Sequence, residues 1–308
     1  FVNINLHQAL SYEDENGNTI QGSGELISIM DSGFQVSGFG SNSSTHTEFI
    51  GKTITNAGDS YFTTYTNTGA YPNNHGTAVA SVAAGNVGNG YTMGVAPAAN
   101  LHFFDFAWGT YNGNKPEYWA FGTADAENEG AVVQNNSWGF DDSQTPNANN
   151  TAYNASANVS TYVNYMNNNS LSGSQTLSNF ASLDTDNNGA NDINYSATAT
   201  QWQVYIDALD SFEDQGVIVF ALSNNSNFGD ADVSAALPEL FSELGEAWIT
   251  VANVDISGTT SQSFALQSAP CGSTADYCLA ADGTQIFMAG YTGETNSDGF
   301  TSGVNNGS

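Results

Sequence analysis

Short apolar runs alternate along the chain with longer stretches of helical period, and each change of period predicts a change of element. Glu25-Leu26-Ile27-Ser28-Ile29-Met30 reads as a buried strand that runs into the turn Asp31-Ser32-Gly33. Leu101 to Phe106, Ala131 to Asn136, Val217 to Leu222 and Ala247 to Asp255 read as further strands. Helices are predicted from His75 to Gly85, over 116–129, over about 200–214 and, shorter, from Leu237 to Leu244. On the first, Val79, Val82 and Ala83 share a face; on the third, Trp202, Tyr205, Ile206, Leu209 and Phe212 do.

Strands that are apolar on both faces and separated by helices predict an α/β fold, a three-layer, mainly parallel, doubly wound sheet with helices on both faces. Residues 141–198 break the alternation with Asn, Ser and Thr and are expected to form a surface insertion. No shift of composition marks an internal boundary and no repeat is evident, so residues 1–308 are expected to form a single domain.

Charge narrows the partners. The chain carries 31 acidic residues against two lysines, Lys52 and Lys115, for a net charge of −29. With almost nothing to neutralise a phosphate, nucleic acid and anionic membrane surfaces are excluded as expected partners. The acids call for counter-ions, supplied by calcium or a salty medium, or they serve solubility alone. No apolar run approaches the roughly 18–20 residues that cross a bilayer. The start, Phe1-Val2-Asn3, fits a mature or trimmed product. Cys271 and Cys278 lie close together in a turn-rich stretch; they close a small disulfide loop in an oxidising compartment, or stay as two free thiols. Several Asn-x-Ser/Thr triplets, Asn42-Ser43-Ser44 among them, suit an extracellular or cell-surface location.

Two stretches carry candidate chemistry. Histidine is the side chain suited to general-base work near neutral pH, and the chain has four: His7, His46, His75 and His102. His75 opens the small-residue run His75-Gly76-Thr77-Ala78-Val79-Ala80, whereas Asp31 ends a strand, where open α/β sheets place their sites. The other three histidines are expected in ordinary core or surface roles. Asp184, Asp186, Asn188 and Asp192 stand at positions 1, 3, 5 and 9 of a loop with Gly189 at position 6, the first part of an oxygen-ligand Ca²⁺ loop. Tyr195 occupies position 12, where a bidentate Glu completes an EF-hand, so the loop is a partial Ca²⁺ site or a plain solvated turn.

Taken in chain order, these pieces resemble the subtilisin-like serine proteases. Ile27-Ser28-Ile29-Met30-Asp31-Ser32-Gly33 is similar to the family's aspartate motif, and His75-Gly76-Thr77-Ala78-Val79-Ala80 to its histidine motif. Gly94-Val95-Ala96-Pro97 is similar to the turn that follows, Asn136-Ser137-Trp138-Gly139 to the substrate-binding strand edge, and Gly216 to Asn225 to the strand that leads to the oxyanion asparagine. The resemblance spans about residues 25–285. It implies a serine endopeptidase with His75 as base, Asp31 as its partner, Asn225 as oxyanion donor and polypeptide substrates. It also implies a possible pro-segment, or a C-terminal region of the same precursor, as partner. The short loop from Cys271 to Cys278 further resembles the bacterial autotransporter branch of the family.

Two positions depart from the pattern. Asn224 stands where the family usually has Gly before the oxyanion Asn. The nucleophile motif, Gly-Thr-Ser followed by Met or Phe and Ala, is absent; the chain ends Asn305-Asn306-Gly307-Ser308. The motif is expected at or just after the last residue, with Ser308 itself as the alternative nucleophile. A family scaffold without a nucleophile is the competing expectation, a non-catalytic surface, adhesin or assembly domain.

Overall fold

The computed structural model describes residues 6–37, 45–56, 75–87, 93–105, 116–139, 159–171, 174–181, 197–224, 226, 228–256, 264–283, 286–289 and 304–307. In chain order its elements are α1 (Leu6–Ala9), β1 (Leu26–Asp31), β2 (Ile54–Asn56), α2 (His75–Ala84), β3 (Asn100–Asp105), α3 (Pro116–Asn128), β4 (Val133–Asn136), α4 (Val159–Asn168), α5 (Ser174–Phe180), α6 (Ala199–Glu213), β5 (Val217–Ala221), β6 (Trp248–Asp255), β7 (Ala265–Leu266), β8 (Cys278–Asp282), β9 (Ile286–Ala289) and β10 (Val304–Gly307). The expected strands and the three longer helices are present, with ends shifted by one or two residues. Parallel strands with intervening helices make this the α/β class expected.

The chain divides into two compact units. In the first, β3 pairs in parallel with β1 on one side and β2 on the other, while β9 and β10 form an antiparallel pair. Its core is Ile29, Phe34, Phe49, Ala80, Ala84, Ala99, Leu101 and Phe103, with the Phe34 and Phe103 rings stacked at 4.2 Å. Small residues decide how α2 packs. The face expected to be buried, Val79, Val82 and Ala83, is half-buried, and Gly76, Thr77, Ala80, Ser81 and Ala84 are buried instead. A Cβ on Gly76 would stand 2.6 Å from the Phe34 ring, so the helix start lies on that ring only because the side chain is absent. At the other end of α2, Val95 and Ala96 donate to the carbonyls of Val82 and Ala83, which satisfies acceptors that a helix terminus leaves open. Lys52, one of the two cations, ties Pro97 O and Ala99 O at 2.7 and 2.9 Å.

In the second unit β5 pairs in parallel with β4 and β6, β6 pairs in parallel with β8, and β7 adds an antiparallel edge. α6 begins with a capping box: Thr198 Oγ1 accepts from Gln201 N–H, and the Gln201 side chain accepts from Thr198 N–H. Trp202, Tyr205, Ile206, Leu209 and Phe212 are its buried stripe, as their spacing predicts. Residues 141–198 are described in part. Their described parts include α4 and α5, with Val159, Tyr162, Leu177 and Phe180 buried. The Phe180 ring meets Trp202 at 4.8 Å and Phe241 at 5.3 Å. Apolar residues three apart inside an Asn-rich text make one-sided helices, and those sides are core. The helix expected from Leu237 to Leu244 is a 3₁₀ turn over Leu237–Glu239 followed by turns.

Trp202 is 1% exposed and touches three aromatic rings, Trp119, Phe180 and Tyr205. Trp202→Ala is expected to cost about 3–5 kcal/mol of stability, the usual range for an emptied aromatic site. Urea unfolding followed by tryptophan fluorescence and circular dichroism checks it through a lower midpoint.

Candidate active site

β1 is buried from Ser28 onward and delivers Asp31 at its C-terminal end, with the carboxyl group out of solvent. The chain then turns through Ser32 and Gly33, and Gly33 takes a φ of 77° that favours glycine. This turn receives the start of α2: Gly76 N–H donates to Ser32 O at 2.8 Å, Thr77 N–H to Gly33 O at 3.1 Å, and Thr77 Oγ1 to Gly33 O at 3.2 Å. His75 therefore sits on the first turn of a helix locked to the residues next to Asp31. Its Nδ1 lies 2.7 Å from Asp31 Oδ1. With Nδ1–H donating to the carboxylate, Nε2 is left as the proton acceptor.

The two groups have opposite surroundings. Asp31 is 2% exposed at its side chain and His75 53%. Burial pushes the Asp31 carboxyl up, against the pull of the His75 hydrogen bond and charge and of the Ser32 N–H at 2.6 Å. The hydrogen bond to Asp31 raises the imidazole above the ordinary histidine value, against desolvation. A buried anion that holds one ring nitrogen of a half-exposed imidazole is what a general base needs.

A second carboxylate belongs to this neighbourhood. Asp105 ends β3 in register with Asp31 on β1, and its Oδ2 accepts from Gly33 N–H at 3.2 Å. Burial, with the Asp31 charge adding to it and the Gly33 bond opposing, pushes its carboxyl up to about 7. Sequence reasoning missed this residue. Two apolar strands that each end in Asp were a signal, but only their register puts the two carboxyls together.

The other histidines are structural where they are described. His102 is buried with Nδ1 2.9 Å from Ser28 Oγ, and His46 caps the 3₁₀ turn Thr47–Phe49 by accepting from Glu48 N–H. The His7 side chain lies outside the described residues.

In the second unit, the expected substrate-binding edge closes β4. Asn136 is buried, and its Nδ2 donates to Val219 O at 3.2 Å, so its amide ties β4 to β5. Ser137 Oγ accepts from Asn135 Nδ2 at 2.9 Å. The Trp138 ring packs inward on Trp119 and Phe220 at 4.8 and 5.4 Å. Gly139 abuts Asp232 and Ser234, where a Cβ would come within 2.9 and 3.0 Å of their side-chain oxygens. What this stretch offers a ligand is therefore backbone more than side chains. Asn225 lies outside the described residues. Ser223 N–H, two positions earlier in the chain, is fixed by Asp232 Oδ2 at 2.9 Å.

Cys271 and Cys278 form a disulfide with Cα atoms 5.9 Å apart. Its loop is fastened by Ser273, whose N–H and Oγ both donate to Asp230, and by Thr274, which meets Thr250 Oγ1 at 2.9 Å. The candidate Ca²⁺ ligands Asp184, Asp186, Asn188 and Asp192 lie outside the described residues, as does Ser308.

The model of the Subtilase family, peptidase S8, matches residues 22–307. No curated protein matches the sequence. Among solved structures, the patellamide maturation protease PatA is similar at 18% identity and a TM-score of 0.51, over 92% of this chain and 73% of that one. MycP1 from the ESX-1 type VII secretion system is similar at 16% identity and a TM-score of 0.51, over 99% and 69%. The prenylagaramide maturation protease PagA matches at 16% identity and a TM-score of 0.48, and the chain spans 65% of its length and 86% of its own. At these identities the likenesses to PatA and MycP1 speak for the fold, and the match over residues 22–307 speaks for descent: the chain belongs to the subtilase family of proteases.

Proposed function

We propose that the protein is the catalytic domain of a secreted or cell-surface serine endopeptidase in which Asp31 and His75 activate a serine supplied at or just beyond Ser308. The observation that carries this reading is the 2.7 Å contact of His75 Nδ1 with the buried Asp31 carboxylate. A serine hydroxyl attacks a peptide carbonyl only when a base takes its proton. Nε2 of His75 is that base, and later returns the proton to the leaving amine; Asp31 holds the tautomer and stabilises the imidazolium.

The C-terminal strand supports the same reading. β10 pairs with β9, with Gly307 opposite Ile286. β9 packs on α2, where Ala289 N–H donates to Ser81 Oγ at 2.8 Å. The strand with which these last residues pair thus lies on the helix that carries His75.

An extended polypeptide binds beside the Asn136-Ser137-Trp138-Gly139 edge through backbone hydrogen bonds. The side-chain amide of Asn225 donates to the oxyanion, so Asn225→Ala is expected to lower kcat about 10²–10³-fold with little change in KM. Steady-state kinetics on a chromogenic peptide measures it. The disulfide loop from Cys271 to Cys278 supports membership of the autotransporter branch, and with it an oxidising compartment. The acidic loop at Asp184, Asp186, Asn188 and Asp192 is proposed as a Ca²⁺ site, which isothermal titration of the chelated protein with Ca²⁺ tests.

The reaction itself is tested with the precursor carried past Ser308 through its next twenty codons. Hydrolysis of casein that is blocked by a fluorophosphonate supports an active peptidase. An inert protein whose gene stops without a Gly-Thr-Ser motif makes this a non-catalytic member of the family.

A further inference from the structure

We propose that Asp105 is a positioning residue that sets the basicity of His75 through Asp31, by gaining or losing a charge beside that carboxylate. The inference rests on His75 being the base of the proposed reaction. Three observations carry it. Asp31 and Asp105 are register partners on neighbouring parallel strands, whose backbones run about 4.8 Å apart. Paired residues of parallel strands point to one face, so the two carboxyls share a side of the sheet. Asp105 also reaches into the turn that carries the helix start. Its Oδ2 accepts from Gly33 N–H, and Gly33 O in turn accepts from Thr77 N–H and Oγ1 two residues after His75. Finally, Asp31 Oδ2 is buried and accepts no hydrogen bond among the described residues, so the one carboxylate is in contact with His75 through Oδ1 and faces uncompensated surroundings through Oδ2.

A buried and a half-buried carboxyl side by side do not both ionise cheaply; like charges on neighbouring strands drive one of them to keep its proton. Among the described residues, Asp31 has the imidazole and Ser32 N–H to stabilise its charge, whereas Asp105 has Gly33 N–H, so the proton goes first to Asp105. Desolvation pushes the Asp105 carboxyl up to about 7, and the bond to Asp31 raises the His75 imidazole above its ordinary value. Among the described residues, the titratable groups on the elements packed here are Asp31 on β1, His75 on α2 and His102 on β3 itself, which stands three residues before Asp105, so on the other face of the strand, and is bonded to Ser28. β2, on the far side of β3, contributes Ile54, Thr55 and Asn56, none of which titrates. When Asp105 ionises, a second negative charge stands behind Asp31 and the imidazolium is favoured further. When Asp105 is neutral, His75 releases its proton more readily. The site therefore resists becoming a free base as pH rises through the neutral range.

The test is an NMR titration of the four histidines, labelled at Cε1, in the whole chain; His75→Gln assigns the signal. Wild type is expected to show a two-step curve for His75, with the second inflection near the Asp105 value. In Asp105→Asn, which keeps an acceptor for Gly33 N–H and never ionises, the curve becomes single-step and its midpoint falls by about one pH unit, the shift a neighbouring charge produces. A purely structural role for Asp105 leaves the midpoint where it was. A one-step wild-type curve overturns the inference without any variant, and so does an unchanged midpoint in Asp105→Asn. If the His75 curve behaves as expected but the precursor hydrolyses no peptide, the peptidase reading falls and the coupling of Asp105 to His75 stands.

Discussion

In the precursor carried through its nucleophile, His75→Ala is expected to lower kcat for peptide hydrolysis about 10⁶-fold. That is the loss known for the base of subtilisin itself, and the proposed mechanism gives it the same cause. Without an acceptor at Nε2 the serine keeps its proton, and only transition-state contacts elsewhere remain. Folding should be untouched. The side chain is 53% exposed, and the first turn of α2 is anchored by backbone bonds from Gly76 and Thr77 to Ser32 and Gly33 that do not involve the imidazole. Kinetics on a chromogenic peptide, with circular dichroism melting on the same preparation, separates the two effects. A loss below tenfold would mean that another group takes the proton.

Asp31→Asn is expected to lower kcat about 10⁴-fold, with the fold again retained. An amide that presents its NH₂ to Nδ1 leaves that nitrogen as acceptor and places the ring proton on Nε2, so the base is blocked while the shape is kept. The stability effect runs the other way. Asp31 and Asp105 have folded values raised above their unfolded ones, so both take up protons on folding. Their contribution is largest below the ordinary carboxylate range and is lost as pH rises through the raised values, to about 7 for Asp105. His75, raised by its bond to Asp31, contributes below about 6.5 and loses that contribution as pH rises through its higher folded value. All three make the folded state less favourable toward alkaline pH. Removing the Asp31 charge relieves Asp105, so Asp31→Asn should melt at or above the wild-type temperature at pH 8 and should show a flatter dependence on pH. Melting curves from pH 4 to 9 measure it.

Much of this site was legible in the chain because its signals are local. A strand that ends in Asp31 and a helix that begins at His75 are read from a dozen residues each, and their chain order made the family recognisable. The stripe of α6 was equally local, since five large apolar residues at helical spacing admit one buried face. What escaped the sequence depends on partners far away along it. Gly76 and Ala80 face inward on α2 while Val79 is half-buried, because the Phe34 ring occupies the space beside the helix start. Phe180 stands in an Asn-rich stretch with nothing near it in the sequence to mark it as core, and it is the Trp202, Phe241 and Tyr162 rings, the first two distant along the chain, that give it a surface to meet. The partition into two compact units leaves no mark in composition, because the first unit is assembled from three separate stretches of chain. Asp105 is the same lesson at the site: its relation to Asp31 is a register, and register is set by pairing between strands some seventy residues apart.

The central claim, that Asp31 and His75 activate a serine for attack, is tested most directly by labelling the precursor with a fluorophosphonate and mapping the adduct by peptide mass spectrometry. The account predicts one modified serine, at Ser308 or within the few residues that follow it, labelled rapidly in the wild type and not detectably in His75→Ala. A serine modified equally fast in both proteins, or no adduct in a folded precursor that contains the full motif, would contradict it.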